Sequence, residues 1–300
     1  MSNHMVAGGT GAGVPRADVR LRDPYVLPLP ERGEYLLFGT TARAGAELGF
    51  DCWTSRDLDL WHGPHPAFRP PHGFWGTRDF WAPEAHPWRG RWYLLASFAA
   101  PGHRRGTGIL VADDPRGPYR PHSDGAVTPA DRECLDGTLH VDDDGAPWLV
   151  FCHEWLQIGD GTICAVRLDE ELRRPLGEPV VLFRASQAGW PVEIGAPQRR
   201  GVVTDGPFLH RAADGRLLMV WSSFATTGYA LTTARSSGGI LGPWFHVDSP
   251  LIADDGGHGM LFRAFDGRLL LSIHRPNRPP DERPVFLPVR ESDGSLALVG

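Results

Sequence analysis

The stretch TDGPFLHRAADGRLLMVW, residues 204–221, decides the fold. It opens on Asp205, passes through a short apolar segment, turns at Asp214-Gly215 and closes on the run Leu217-Leu218-Met219-Val220-Trp221. Asp-Gly between two such runs is a hairpin signal, because a tight two-residue turn needs positive φ at both positions. The pattern recurs four more times. Arg22-Asp23-Pro24-Tyr25-Val26 turns at Arg32-Gly33 into Tyr35-Leu36-Leu37-Phe38. Trp81-Ala82-Pro83-Glu84 turns at Arg89-Gly90 into Trp92-Tyr93-Leu94-Leu95. Leu135-Asp136-Gly137-Thr138 turns at Asp144-Gly145 into Trp148-Leu149-Val150-Phe151, and Gly257-His258-Gly259-Met260 turns at Asp266-Gly267 into Leu269-Leu270-Leu271-Ser272-Ile273.

The opening residues Asp23, Glu84, Asp136, Asp205 and His258 stand 61, 52, 69 and 53 residues apart. Such intervals are too long for a solenoid rung and suit a four-stranded unit with its loops. No segment keeps a 3.6-residue apolar period, so helices contribute little. The expectation is an all-β, five-bladed β-propeller with about four antiparallel strands per blade. Residues 21–300 form that single domain, behind a flexible N-terminal segment, residues 1–20. The proline-rich stretch around His62, His65 and His72 reads as a loop.

Composition narrows the function. The 300 residues carry a formal charge of −6, and all 30 basic residues are arginine. No basic run is long enough to track phosphates, which argues against a nucleic-acid partner. No apolar run approaches the roughly 20 residues of a membrane span. Residues 1–20 hold no apolar signal-peptide core, and the four cysteines (Cys52, Cys134, Cys152, Cys164) show no metal-like spacing, so a reduced, cytoplasmic chain is expected. Eleven tryptophans against five tyrosines suit stacking on sugar rings.

In a propeller the first strand of each blade lines the central channel, so the five opening residues converge on one mouth. The second strand returns to the same face, which brings Glu154, after Phe151-Cys152-His153, to that opening. Converging carboxylates push one another's pKa values apart, and acid–base chemistry needs such a group. Trp81 and Trp155 stand at the same level as candidate stacking residues, Glu84 and Arg263 as candidate substrate contacts.

These motifs resemble those of glycoside hydrolase family 43, the propeller enzymes of arabinan and xylan breakdown, over nearly the whole chain. Arg22-Asp23-Pro24-Tyr25 resembles the family's base motif, Trp81-Ala82-Pro83-Glu84 its blade-two signature, and Asp136-Gly137-Thr138 the site of an aspartate that tunes the acid. The resemblance implies an inverting glycosidase acting on α-L-arabinofuranosides or related furanoside and xyloside linkages of an oligosaccharide or polysaccharide. Asp23 would be the base, Asp136 the modulator and Asp205 the acid. It also implies that His258 binds a structural calcium in the channel, with no cofactor needed for the chemistry. The sequence carries no strong oligomerisation signal, so a monomer is expected. One position departs from the pattern: the family's acid is a glutamate before Gly-Pro, and here it is Asp205, shorter by one methylene. Glu154 is the substitute acid on topology. The rival reading is a carbohydrate-binding propeller that has lost turnover through this change.

Overall fold

The computed structural model describes residues 13–41, 47–292 and 294–300. The first sheet holds β1 (Val14–Pro15), β2 (Arg22–Leu29), β3 (Glu34–Thr40), β4 (Phe50–Ser55) and β5 (Leu60–Phe68), with β1 added outside β5. The second is β6 (Arg78–Trp88), β7 (Arg91–Ala100), β8 (His103–Ala112) and β9 (Arg120–Pro121). The third is β10 (Cys134–Val141), β11 (Pro147–His153), β12 (Thr162–Arg167) and β13 (Val180–Arg184), with a single turn of helix, α1 (Trp155–Ile158), after β11. A separate hairpin, β14 (Ile194–Ala196) and β15 (Arg199–Gly201), precedes the fourth sheet, β16 (Asp205–Arg211), β17 (Leu217–Ala225), β18 (Gly228–Ser236) and β19 (Trp244–His246). The fifth is β20 (Gly257–Arg263), β21 (Leu269–Arg275), β22 (Arg283–Ser292) and β23 (Ser295–Leu298). Every pairing within these sheets is antiparallel, and β2, β6, β10, β16 and β20 touch one another in a closed cycle, as a five-bladed propeller requires.

The uninterrupted apolar runs follow from burial on both faces of each sheet. On β11, Leu149 and Phe151 join the apolar cluster shared with the second sheet, whereas Val150 and Cys152 join the one shared with the fourth. On β17, Leu217, Met219 and Trp221 face the third sheet while Leu218 and Val220 face the fifth. Among the described residues the ring is closed without a shared strand. Leu21 N–H donates to the Glu282 carbonyl, Arg22 Nη1 to Glu282 Oε1 at 3.0 Å, and Ser272 Oγ to the Pro24 carbonyl at 2.9 Å.

Two expectations are corrected. The segment expected to be flexible is structured from Val14: β1 pairs with Leu60 and Trp61, and Val19 is buried, because the outer strand of the first blade offers it an edge. Residues 1–12 of that segment lie outside the described residues. The first part of the proline-rich stretch is strand β5, which carries His62 and His65, with its prolines where the ladder with β4 is irregular, while His72 lies in a turn beyond it. Among the described residues no helix is long and apolar enough to cross a membrane.

One backbone device repeats in every blade. The first strand breaks register at the mouth, between Arg22 and Tyr25, Trp81 and Glu84, Leu135 and Thr138, Asp205 and Phe208, and Gly257 and Met260. At each break one residue has positive φ: Asp23 51°, Ala82 46°, Asp136 55°, Gly206 51°, His258 50°. These bulges turn a side chain out of the pleat toward the channel. The equivalent residues are therefore Asp23, Ala82, Asp136, Gly206 and His258, not the five read as openings from the sequence: Asp205 lies one position earlier and Glu84 two later.

Candidate active site

A cavity of about 460 Å³ opens at the mouth, lined by Asp23, Asp136, Glu154, Asp205 and His258 with Trp81 and Trp155. Each comes from a strand end that the blade geometry delivers to one face. Asp23, Asp136 and His258 occupy bulge positions, Asp205 precedes one, and Glu154 ends the excursion of β11.

Asp23 is buried and held in place from two sides. Its Oδ2 accepts the Thr40 hydroxyl at 2.6 Å, and its Oδ1 accepts no hydrogen bond, with His258 Nδ1 3.2 Å away and Arg22 Nε 3.8 Å away. Burial would raise its carboxyl, but the His258 and Arg22 charges and the Thr40 hydroxyl outweigh burial and hold it down at about 2. Asp23 N–H donates to His274 Nδ1 at 3.2 Å, while His274 Nε2 lies 3.1 Å from Asn277 Oδ1. That arrangement fixes His274 as a neutral imidazole, in keeping with burial pushing it down to about 4.

Asp136 and Asp205 hydrogen-bond to one another and behave as one unit. Burial and the Asp205 charge push Asp136 well above the usual carboxylate range. Asp205, which burial alone would raise, is kept below that range by its bond to Asp136, by His258 and by the Tyr229 hydroxyl, which donates at 2.5 Å. The pair therefore holds one proton, resting on Asp136. Gly206 N–H donates to Asp136 Oδ2 at 3.0 Å. Glycine is needed there, since a Cβ would stand 2.8 Å from the His258 ring in a left-handed backbone.

Glu154 is also raised, by burial first and against the pull of Arg105. Arg105 Nη1 reaches Glu154 Oε2 at 2.6 Å, its Nη2 reaches Asp79 Oδ2 at 3.2 Å, and its guanidinium covers Trp81 4.2 Å from the ring centroid. Trp155 is backed by the β14–β15 hairpin, where the Gly195 and Gly201 backbones pack against its ring.

Two expected contacts do not reach the cavity. Glu84 lies deeper in the channel, beneath Asp23 and His258, and its Oε2 accepts from Thr138 Oγ1 at 2.6 Å and contacts His86 Nε2 at 2.9 Å. It is displaced because Ala82, not Glu84, takes the bulge position of its blade. Arg263 is exposed at the far end of β20, where its Nη1 donates to the Gly267 carbonyl at 3.0 Å. The sequence reading also missed Tyr229, Arg105, Thr40 and Asn277. A signal was available for the first two: third strands start on the face where first strands start, and both residues open a third strand, β18 and β8.

For the expected calcium at His258, the group of donors in reach is Asp136, Asp205 and His258, with ligand atoms within 4.8 Å of one another. Calcium takes about six to eight oxygens. Here one donor is a nitrogen and two are carboxyls, so a calcium held at His258 would need most of its oxygens from water or substrate. The groups that can act are protic: a carboxylate kept ionised, and a carboxyl kept protonated against a second carboxylate.

Comparison with known proteins bears on the same site. The sequence model of Glycosyl hydrolases family 43 matches residues 14–291. The chain is 42% identical to a solved endo-arabinase from Bacteroides thetaiotaomicron VPI-5482, covering 95% of this chain and 99% of that one with a TM-score of 0.89. An exo-1,5-α-L-arabinanase from a bovine ruminal metagenomic library shares the fold at 21% identity, 95% and 98% coverage and a TM-score of 0.71. A search of curated proteins gives no match. With its propeller, its mouth of converging carboxylates and a family match over almost its whole length, the chain belongs to glycosyl hydrolases family 43 and is a glycoside hydrolase.

Proposed function

We propose that the chain hydrolyses α-L-arabinofuranosyl linkages of arabinan-type oligosaccharides or polysaccharides, with inversion. The substrate reading is supported by the 42% identity to an endo-arabinase over 95% of the chain. The chemistry is supported by one observation above the others: an ionised carboxylate, Asp23, and a proton-holding pair, Asp136–Asp205, face the same cavity. Asp23, the carboxylate kept ionised, takes a proton from water. The activated water attacks the anomeric carbon from one face. The pair supplies its proton to the departing glycosidic oxygen through Asp205, the more accessible member, and Asp136 holds that proton until it is needed. Trp81 and Trp155, which line the cavity, bind the sugar.

A second reading of the proton donor is Glu154, favoured by its raised carboxyl. It is favoured also by crowding. Asp23 Oδ1 and Asp205 Oδ1 both lie on His258 Nδ1, at 3.2 and 3.9 Å, so their separation is no more than about 7 Å, which reaches only the short part of the roughly 6.5–9.5 Å of an inverting pair.

The test is hydrolysis of p-nitrophenyl furanosides and xylosides and of linear arabino-oligosaccharides, with the first anomer formed followed by NMR. Turnover of α-L-arabinofuranosides giving the β-anomer first supports the reading. Turnover of xylosides alone overturns the substrate, and the α-anomer first overturns inversion. Asp205→Asn and Glu154→Gln on arabinobiose then separate the donors, since only loss of the true donor removes turnover of a poor leaving group.

A further inference from the structure

The positive-φ residue of each blade has a backbone N–H aimed sideways at the preceding blade, and four of the five are received alike. Thr40 Oγ1 accepts from Ala82 N at 2.8 Å, Ser97 Oγ from Asp136 N at 2.9 Å, Ser222 Oγ from His258 N at 2.8 Å, and His274 Nδ1 from Asp23 N at 3.2 Å. All four acceptors hold one register position: on the second strand, opposite the residue before the bulge. The pairs are Arg22 with Thr40, Trp81 with Ser97, Asp205 with Ser222 and Gly257 with His274. In the third blade that position, opposite Leu135, is Cys152, a fully buried residue whose thiol is a weak acceptor. There the pattern breaks. Gly206 N–H goes not to the second strand but to Asp136 Oδ2 at 3.0 Å.

We infer that Cys152 is a positioning residue: by declining the inter-blade hydrogen bond it releases Gly206 N–H to hold Asp136 against the segment that carries Asp205. Gly206 directly follows Asp205, so this bond ties the Asp136 carboxyl to the Asp205 backbone and keeps the two carboxyls in contact. A hydroxyl at residue 152 would complete the fivefold latch, take the Gly206 N–H as Thr40 takes that of Ala82, and loosen Asp136. The burial that raises the Cys152 thiol also keeps it uncharged beside two carboxyls. The inference rests on the proposed role of the Asp136–Asp205 pair.

The experiment compares Cys152→Ser, Cys152→Ala and Asp136→Asn for kcat, KM and melting temperature on arabino-oligosaccharides. A packing role for Cys152 predicts that serine and alanine both act on melting temperature and differ little in kcat. The latch predicts a split in kcat. Cys152→Ser should lose kcat by roughly tenfold or more with KM nearly unchanged, short of the roughly 10²–10³-fold of a lost oxyanion donor. Cys152→Ala, with no acceptor, should keep kcat within about threefold of wild type even where its melting temperature falls. If Asp136→Asn is inactive yet Cys152→Ser matches or exceeds Cys152→Ala in kcat, the inference is overturned. If Asp136→Asn itself turns over normally, it is the underlying pair that fails.

Discussion

Asp23 stays ionised because His258, Arg22 and Thr40 together outweigh its burial, and removing its charge is the sharpest residue-level test. Asp23→Asn should still fold, with a melting temperature lowered by several degrees because Arg22 and His258 lose a buried counter-charge, and should lose about 10²–10⁴ in kcat, the range of a lost general base. Tyr229→Phe acts on the other side of the reaction. The Tyr229 hydroxyl favours ionised Asp205, so without it the Asp136–Asp205 pair binds its proton more tightly. Activity that needs the protonated pair falls as pH rises through the pair's upper pKa, so the alkaline limb of kcat/KM should move to higher pH in this variant. A limb that stays or moves down would show that another group donates. Residue types at the mouth were legible in the sequence because carboxylates recur at blade intervals. Their exact phase was not. Glu84 was misplaced because the bulge is a backbone event, and nothing in Trp81-Ala82-Pro83-Glu84 marks Ala82 as the residue with φ of 46°.

At the scale of single elements, the β14–β15 hairpin is what the sequence concealed most fully. It is short and carries no Asn-Gly or Asp-Gly turn. In the structure it packs on α1: Arg199 Nη2 donates to the Leu156 carbonyl at 2.6 Å, and Val202 N–H donates to the Gly159 carbonyl at 2.9 Å. Gly201 lies in the tightest place, where a Cβ would stand 2.1 Å from the Gly159 carbonyl oxygen and 2.7 Å from Trp155 Cε3. Neither neighbour can yield without moving the Trp155 wall of the cavity. Gly201→Ala should therefore raise KM for arabino-oligosaccharides several-fold, with kcat on a small aryl arabinofuranoside little changed. Equal losses on both substrates would mean that the hairpin supports the reacting groups rather than the sugar wall.

For the whole molecule, the fivefold count was readable because each blade repeats its own hairpin, but the closure of the ring was not, because it joins residues about 260 positions apart. Among the described residues no strand crosses from the first sheet to the fifth, so the seam rests on an apolar cluster that joins Leu36 and Trp61 to Met260, Phe262 and Phe286, and on Arg22, Glu282 and the backbone bonds beside them. Glu282 is fully buried, with Oε1 on Arg22 and Oε2 unpaired. Removing one partner of a buried pair costs about 3–5 kcal/mol because the other is left uncompensated, whereas an exposed pair is worth about 0–1 kcal/mol. Glu282→Ala should thus lower the melting temperature by roughly 5–8 °C at this chain length, against at most about 2 °C for Asp266→Ala, which breaks the exposed pair with Arg268. The seam also borders the site, since Arg22 Nε stands 3.8 Å from Asp23 Oδ1. An Arg22 freed from Glu282 is drawn toward Asp23 and blunts it as a base, so kcat should fall in Glu282→Ala even well below its melting temperature. Thermal melting and kcat measured at 25 °C on the same preparation check both halves. A stable but slow variant would place Glu282 in service of Asp23 alone, and an unstable but fully active one would confine it to the seam.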